Sequence, residues 1–225
     1  MMNQEVSQLF PTPDFSHLSE NDFQDVYEPA EDSFLLLDAL EQEAESLNSL
    51  RPLICVEVGC GSGIVITFLK KLLSSQCVCL AVDSNHRATS STVKTADQNK
   101  AQVEAVTSDL LTNLQPRIEG KIDVLVFNPP YVVTPPEEVR CPGLPSSWAG
   151  GVNGRQVTDR LISDVHRLLS PSGVFYLITI KENKPDEIRQ MLKDRGLEST
   201  VIIERKAGPE RLNVIKFQRK ISAVT

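Results

Sequence analysis

A short apolar run at residues 53–58, LICVEV, stops at Gly59-Cys60-Gly61-Ser62-Gly63, and the helical pattern GIVITFLKKLL begins directly behind it. A run of six residues, five of them apolar, that ends in a glycine turn and re-emerges as a helix describes a buried strand feeding a crossover helix. The rest of the chain repeats the theme. CVCLAVD (77–83) is a second strand, followed by the polar helix NHRATSSTVKTADQNK. VEAVTSD (103–109) and IDVLVF (122–127) are a third and a fourth. A helix GRQVTDRLISDVHRLL carries Val157, Leu161, Val165 and Leu168 on one side, and GVFYLITI (173–180) is a fifth strand. KPDEIRQMLKDRG is a helix with a glycine stop, after which VIIERKA and RLNVIKFQ form a closing pair of strands. Strands that are apolar on both faces and alternate with helices predict a parallel sheet covered on both sides. The last two lack an intervening helix and are therefore expected to be antiparallel, at one edge. The fold class is α/β, doubly wound, with its ligand at the carboxyl ends of the strands.

One domain spans residues 27–225. It opens with the helix AEDSFLLLDALEQEAESL, in which Phe34, Leu37, Leu40, Ala44 and Leu47 recur at helical spacing and Glu31 and Asp32 suit the N-terminal dipole. Residues 1–26 are polar and proline-punctuated, an arm laid over the domain or partly disordered. The chain has a formal net charge of −7, which disfavours a phosphate backbone as partner. Its five cysteines, Cys55, Cys60, Cys77, Cys79 and Cys141, include no Cys-x-x-Cys pair, so neither a metal site nor a disulfide frame is predicted. The opening MMNQEVSQLFPTPDF lacks a basic end before an apolar stretch, and no apolar segment reaches membrane-span length. The expectation is a soluble protein of the cytoplasm, with the nucleus a second location, and no membrane partner.

Two details of the glycine loop select its ligand. The third glycine of a dinucleotide fingerprint would fall at position 64, which is Ile64. An acid, Glu57, precedes the loop at the strand tip; it would repel a pyrophosphate and attract the methionine ammonium of S-adenosylmethionine. Gly59 and Gly61 let the backbone approach that ligand closely. Asp83, at the tip of the second strand, is placed for two ribose hydroxyls. Asp109, at the tip of the third, is placed for the adenine amino group, with Leu110 packing nearby.

The fourth strand runs into Asn128-Pro129-Pro130-Tyr131. Two prolines fix the backbone, remove two amide donors and leave their carbonyls as acceptors. With the Asn128 side-chain oxygen they can grip an NH₂ group by both hydrogens and aim its nitrogen at a methyl donor. Tyr131 offers a flat face to a planar group. Catalysis of that kind is positioning for in-line transfer, with no general base needed beforehand. These residues alone define a planar NH₂ acceptor and leave glutamine and adenine both open. A non-catalytic scaffold would require one of the two motifs to be broken, and neither is. The proline- and glycine-rich loop 132–153 is long enough to be a substrate-facing flap that includes Trp148.

The loop Glu57-Val-Gly59-Cys-Gly61-Ser-Gly63, taken with Asn128-Pro129-Pro130-Tyr131, resembles the HemK-type glutamine N5-methyltransferases. The segments VYEPAEDSF (26–34), VLVF (124–127), VVTPP (132–136) and WAGG (148–151) narrow the resemblance to the small eukaryotic members, over residues 23–218. The resemblance implies a seven-stranded Rossmann-like class I methyltransferase fold, mostly parallel, with an antiparallel final strand. It implies that Ser33, where relatives often carry Thr, lines the cofactor site with Glu57, Gly59, Asp83, Asp109, Leu110 and Asn128. The acceptor it implies is the glutamine of the Gly-Gly-Gln loop of the eukaryotic class I release factor. The partner it implies is a small zinc-binding activator subunit, docked in a heterodimer along an edge strand at residues 103–107. Histone-tail lysine has also been attributed to this branch, and an acidic surface suits a basic tail, although an ammonium must lose its proton before it can attack.

Overall fold

Seven strands build one sheet in the order β3-β2-β1-β4-β5-β7-β6. In the computed structural model residues 10–140 and 143–220 are described; the first nine residues of the arm and Cys141 lie outside them. The strands are β1 (Ile54–Val58), β2 (Val78–Asp83), β3 (Glu104–Thr107), β4 (Ile122–Phe127), β5 (Leu169–Ile180), β6 (Leu197–Ala207) and β7 (Glu210–Arg219). The helices are α1 (Glu31–Gln42), α2 (Ala44–Leu50), α3 (Ile64–Leu72), α4 (His86–Gln98), α5 (Gln115–Ile118), α6 (Gln156–Ile162), α7 (Val165–Leu168) and α8 (Pro185–Lys193). β1 to β5 are parallel, and β7 is antiparallel to both β5 and β6, as the missing crossover helix predicts.

The two-residue period of the strands sorts the core into two layers. Cys55, Cys79, Val124, Val126, Tyr176 and Val214 pack with the leucines of α1 and the apolar side of α3. Val56, Val58, Leu125, Phe127, Phe175 and Phe217 pack on the other face with α6, α7 and α8. β1 and β4 are neighbours at the centre of the sheet, with Val58 paired to Phe127. From β1 the sheet grows outward through β2 on one side and through β4 on the other, so a crevice opens at their carboxyl ends. The glycine loop and the Asn-Pro-Pro-Tyr segment therefore leave the sheet side by side.

Two expectations are modified. The first helix stops at Gln42, where Glu43 turns in to accept from Tyr176 Oη at 3.0 Å and from Lys216. The helix before the fifth strand divides around Ser163-Asp164, where Asp164 accepts from Gln115 Nε2 at 2.8 Å. Residues 10–26 pack against the domain. Leu18 and Val26 are buried, Phe10 meets Phe68 edge-on at 6.4 Å, and Asp14 and Asn99 exchange two hydrogen bonds of 2.8 and 2.7 Å. Phe10, Leu18 and Val26 are the apolar anchors of a segment whose composition reads as polar.

Candidate active site

A cleft of about 1290 Å³ opens at the crevice beside β1 and β4. Its floor is the glycine loop. Gly59, Gly61 and Gly63 all have left-handed backbone (φ 69, 51 and 82°). The amides of Gly59 and Cys60 donate to the Val82 carbonyl at 2.7 and 3.2 Å, tying the loop to the end of β2. At Gly61 an added Cβ would meet nothing within 4 Å, so the backbone is bare toward the cleft. Gly63 caps α3 against α4, where an added Cβ would lie 2.5 Å from Thr92 Cα. Gly63→Ala is therefore expected to cost about 2–5 kcal/mol through its left-handed backbone and the overlap with a main chain that cannot yield. Thermal unfolding should show it as a Tm lowered by roughly 5–15 °C.

Glu57 is 2% exposed, and its Oε2 accepts from the Ile66 amide of α3 at 2.9 Å. Burial holds its carboxyl well above the usual range; the Ile66 hydrogen bond opposes this and nearby Asp83 adds to it. Asp83 Oδ2 accepts from the Gly61 amide at 3.1 Å and Oδ1 from Asn85 at 2.9 Å, which leaves each oxygen a further lone pair. Burial raises Asp83 as well, against the backbone hydrogen bonds. Burial thus favours the neutral form of both carboxyls.

Across the cleft, the segment after β4 is organised by a residue outside the predicted set. Asp32, on the first turn of α1, is 3% exposed. Its Oδ2 accepts from Asn128 Nδ2 at 3.0 Å, Tyr131 Oη at 3.2 Å and Tyr27 Oη at 3.2 Å. Its Oδ1 accepts from the Ser33 amide at 2.7 Å and Ser33 Oγ at 3.3 Å. The Asn128 amide is thereby fixed with its NH₂ on Asp32, while its Oδ1 is buried without a partner. Asn128, Pro129 and Pro130 line the cleft together with Tyr27. Tyr131 is not in the cleft wall: its ring packs on the α1–α3 layer and its hydroxyl serves Asp32. Burial raises both tyrosine hydroxyls, with Asp32 adding to it, so both remain donors.

Beneath the segment, Asn183 donates from Nδ2 to the carbonyls of Tyr131, Asn153 and Gly154 at 2.8, 3.0 and 3.1 Å. Gly154 is pressed against the Tyr131 carbonyl, 1.9 Å from where its Cβ would stand. Ser33 and Leu110 line the cleft, Leu110 with left-handed backbone at φ 49°. Asp109 lines it too, but is exposed and paired with Arg160 Nη2 at 2.6 Å. The loop after Tyr131 folds back through Val132 and Ala149, and Pro136, Glu137, Val139, Leu144 and Ser147 face the cleft. Trp148 is 37% exposed and outside the cleft wall.

Sequence reasoning missed Asp32, Tyr27 and Asn183. In the sequence Asp32 reads only as an acid suited to the helix dipole, although VYEPAEDSF carries the Tyr27–Asp32 spacing; nothing in the sequence alone marks Asn183.

A seven-stranded sheet of this order, with a glycine loop, strand-tip acids and an Asn-Pro-Pro-Tyr exit around one cleft, defines a class I methyltransferase. The family model for the methyltransferase small domain matches residues 31–140. Methyltransferase HEMK2 of Mus musculus is 50% identical over 209 residues, covering 93% of this chain and 97% of that protein. The eRF1 methyltransferase catalytic subunit mtq2 of Schizosaccharomyces pombe is 36% identical, covering 94% and 96%. Among solved structures, the E. cuniculi Mtq2–Trm112 complex, responsible for methylation of the eRF1 translation termination factor, matches with a TM-score of 0.67 and 30% identity, covering 87% of this chain and 99% of that one. The chain belongs to the HemK-type N5-glutamine methyltransferase family, whose fold implies use of S-adenosylmethionine.

Proposed function

We propose that this chain is the catalytic subunit of a protein methyltransferase that methylates the N5 amide of the glutamine in the Gly-Gly-Gln motif of the class I release factor. The observation that carries this reading is the buried, unpartnered Asn128 Oδ1 in the cleft wall. A buried acceptor without a donor costs about 1–3 kcal/mol, and a substrate N–H relieves it. Pro129 and Pro130 add no competing donor. An amide suits this site better than a lysine ammonium. Asp32, the carboxylate nearest Asn128, is already taken up by Asn128, Ser33 and two tyrosines, so it is poorly placed to remove a proton.

S-adenosylmethionine, when bound, supplies an electrophilic methyl group. The residues fit it: Glu57 would hold the ammonium, Asp83 the ribose hydroxyls, Asp109 and Leu110 the adenine, while Gly59, Gly61, Ser33 and Asn128 complete the wall. Asp109 would have to exchange its contact with Arg160 for the adenine. Asn128 and the Pro129 carbonyl would orient the substrate nitrogen, and their hydrogen bonds would strengthen as positive charge develops there. Pro136, Val139, Leu144 and Ser147, which face the cleft, would cover the bound glutamine.

A proton linkage follows. Glu57 and Asp83 are raised in the free protein, and a bound cation favours their charged forms. Cofactor affinity is therefore expected to increase as pH rises through the raised values, with protons released on binding. In the cofactor-free protein the same shift means that stability falls as pH rises above the ordinary carboxylate range. Calorimetric titration with S-adenosylmethionine in two buffers of different ionisation enthalpy should give different heats; identical heats would remove the linkage.

The E. cuniculi complex supports a small activator subunit as partner. Edge strand β3, which among the described residues is paired only with β2, offers it an open ladder of backbone groups. A cytoplasmic location, with access to the nucleus, goes with this reading. The direct test is radiolabelled methyl transfer by the chain co-purified with the activator. It would be offered release factor with and without its Gly-Gly-Gln glutamine, a histone tail, and single-stranded DNA. Label confined to the intact release factor is expected; label on the tail or the DNA alone would discard glutamine as acceptor.

A further inference from the structure

Three cysteines that methyl transfer does not use converge at the end of the sheet away from the cleft. Cys55 and Cys79 are register partners on β1 and β2, both buried, and Cys77 stands just before β2, half-buried. Their sulfur atoms all lie within 4.8 Å of one another, and Cys77 and Cys79 are 3.7 Å apart. Four positions separate Cys79 from Asp83, about 13 Å along an extended strand, so the cluster and the cleft are separate places. The three residues are far from any sequence spacing that signals a metal; the parallel pairing of β1 with β2 is what joins them.

The geometry and the charges suit a thiophilic cation. A tetrahedral ion with thiolates at about 2.3 Å keeps its sulfurs about 3.8 Å apart, so the sulfur triangle needs only side-chain adjustment to close on one. Three thiolates and a divalent ion sum to one negative charge. Lys70 Nζ, at the end of α3, lies 3.7 Å from Cys77 Sγ and donates to the Cys77 carbonyl at 2.9 Å, so the balancing positive charge is already in place. The exposed side of Cys77 provides an entry path and room for a water ligand. We propose that Cys55, Cys77 and Cys79 form a three-thiolate site for one divalent cation of the zinc class, with water as the fourth ligand. Such an ion would tie β1, β2 and the end of α3 together. Binding would release the thiol protons, and no oxidant or reductant is involved.

The test uses the full-length chain in the assembly in which it is active, reduced and dialysed free of loose metal, and then given zinc alone. An activator subunit carrying zinc of its own adds equally to every sample, so the quantity read is a difference. The wild type is expected to hold one more zinc per chain than Cys77→Ser and than the Cys77→Ser/Cys79→Ser double variant. Cobalt(II) added instead should give a near-ultraviolet thiolate charge-transfer band that both variants lose. Retained S-adenosylmethionine binding shows that a variant is folded. Cys77→Ser, at a half-buried position, keeps the test open if the double variant fails to fold. Equal zinc counts in wild type and Cys77→Ser, or no thiolate band in the wild type, would overturn the site. Neither readout depends on the identity of the methyl acceptor.

Discussion

Asn128→Ala is expected to lower methyl transfer to the release factor by about a hundred- to a thousandfold, the range for removing one preorganised hydrogen-bonding group from a reacting centre. The fold should hardly notice. The substitution removes one hydrogen bond to Asp32, at 3.0 Å, but also removes a buried oxygen that has no partner. The first loss costs about 1.5–3 kcal/mol because the acceptor is charged, and the second returns about 1–3 kcal/mol. The near cancellation predicts a Tm within a few degrees of wild type, and S-adenosylmethionine should still bind, since Glu57 and Asp83 are untouched. Activity lost at constant stability is the mark of a group kept for chemistry at the expense of packing. The measurement is single-turnover methyl transfer beside thermal unfolding. A variant that kept wild-type turnover would show that the free oxygen has no part in holding the acceptor. Asn128→Asp should be at least as inactive, because it sets a second carboxylate against Asp32 where an amide NH₂ had donated.

The sheet and the two motifs were legible in the sequence because their physics is local. Apolar runs such as IDVLVF and GVFYLITI are short and rich in β-branched and aromatic residues, which favours buried strands over helices, and β4 begins and ends where its pattern does. Glycines with left-handed backbone at 59, 61 and 63 are required by the tight turn itself, so the loop announces its own conformation. Less was legible where a residue's role depends on partners distant in the chain. Asp32 sits 96 residues from Asn128, and no spacing connects them. The Asn-Pro-Pro-Tyr pattern points the Tyr131 ring at the substrate; in the structure its hydroxyl meets Asp32, and Tyr27 lines the cleft wall. Asn183 supports the Asn-Pro-Pro-Tyr segment from 52 residues away. The break after Gln42 has the same origin: Glu43 is drawn to Tyr176 and Lys216, residues of β5 and β7, against a helical pattern that continues through it. Local pattern sets elements and turns, whereas the shell that positions a site is assembled by topology.

Asp32→Ala is expected to damage both stability and catalysis, and this separates it from Asn128→Ala. The carboxylate accepts from Tyr27, Ser33, Asn128 and Tyr131 and is 3% exposed. Its removal leaves several buried donors without an acceptor, a loss of about 3–5 kcal/mol once some of them find water. For a domain of this size that lowers Tm by roughly 10–15 °C. Catalysis should fall about a hundredfold even well below the new Tm, because the Asn128 amide is then free to rotate and its oxygen no longer points where the substrate nitrogen must be held. Asp32→Asn separates the two effects. It fills the same volume and keeps one acceptor oxygen, so most of the stability should return. At the Oδ2 position, however, its NH₂ meets the Asn128 NH₂, donor against donor, while the two tyrosine hydroxyls can turn to accept, so turnover should stay low. The discriminating measurement is kcat against KM for the release factor in both variants. A fall confined to kcat places Asp32 as the residue that orients Asn128. Wild-type kcat in Asp32→Asn would mean that the charge contributes only to packing the first turn of α1 and leaves Asn128 to orient itself.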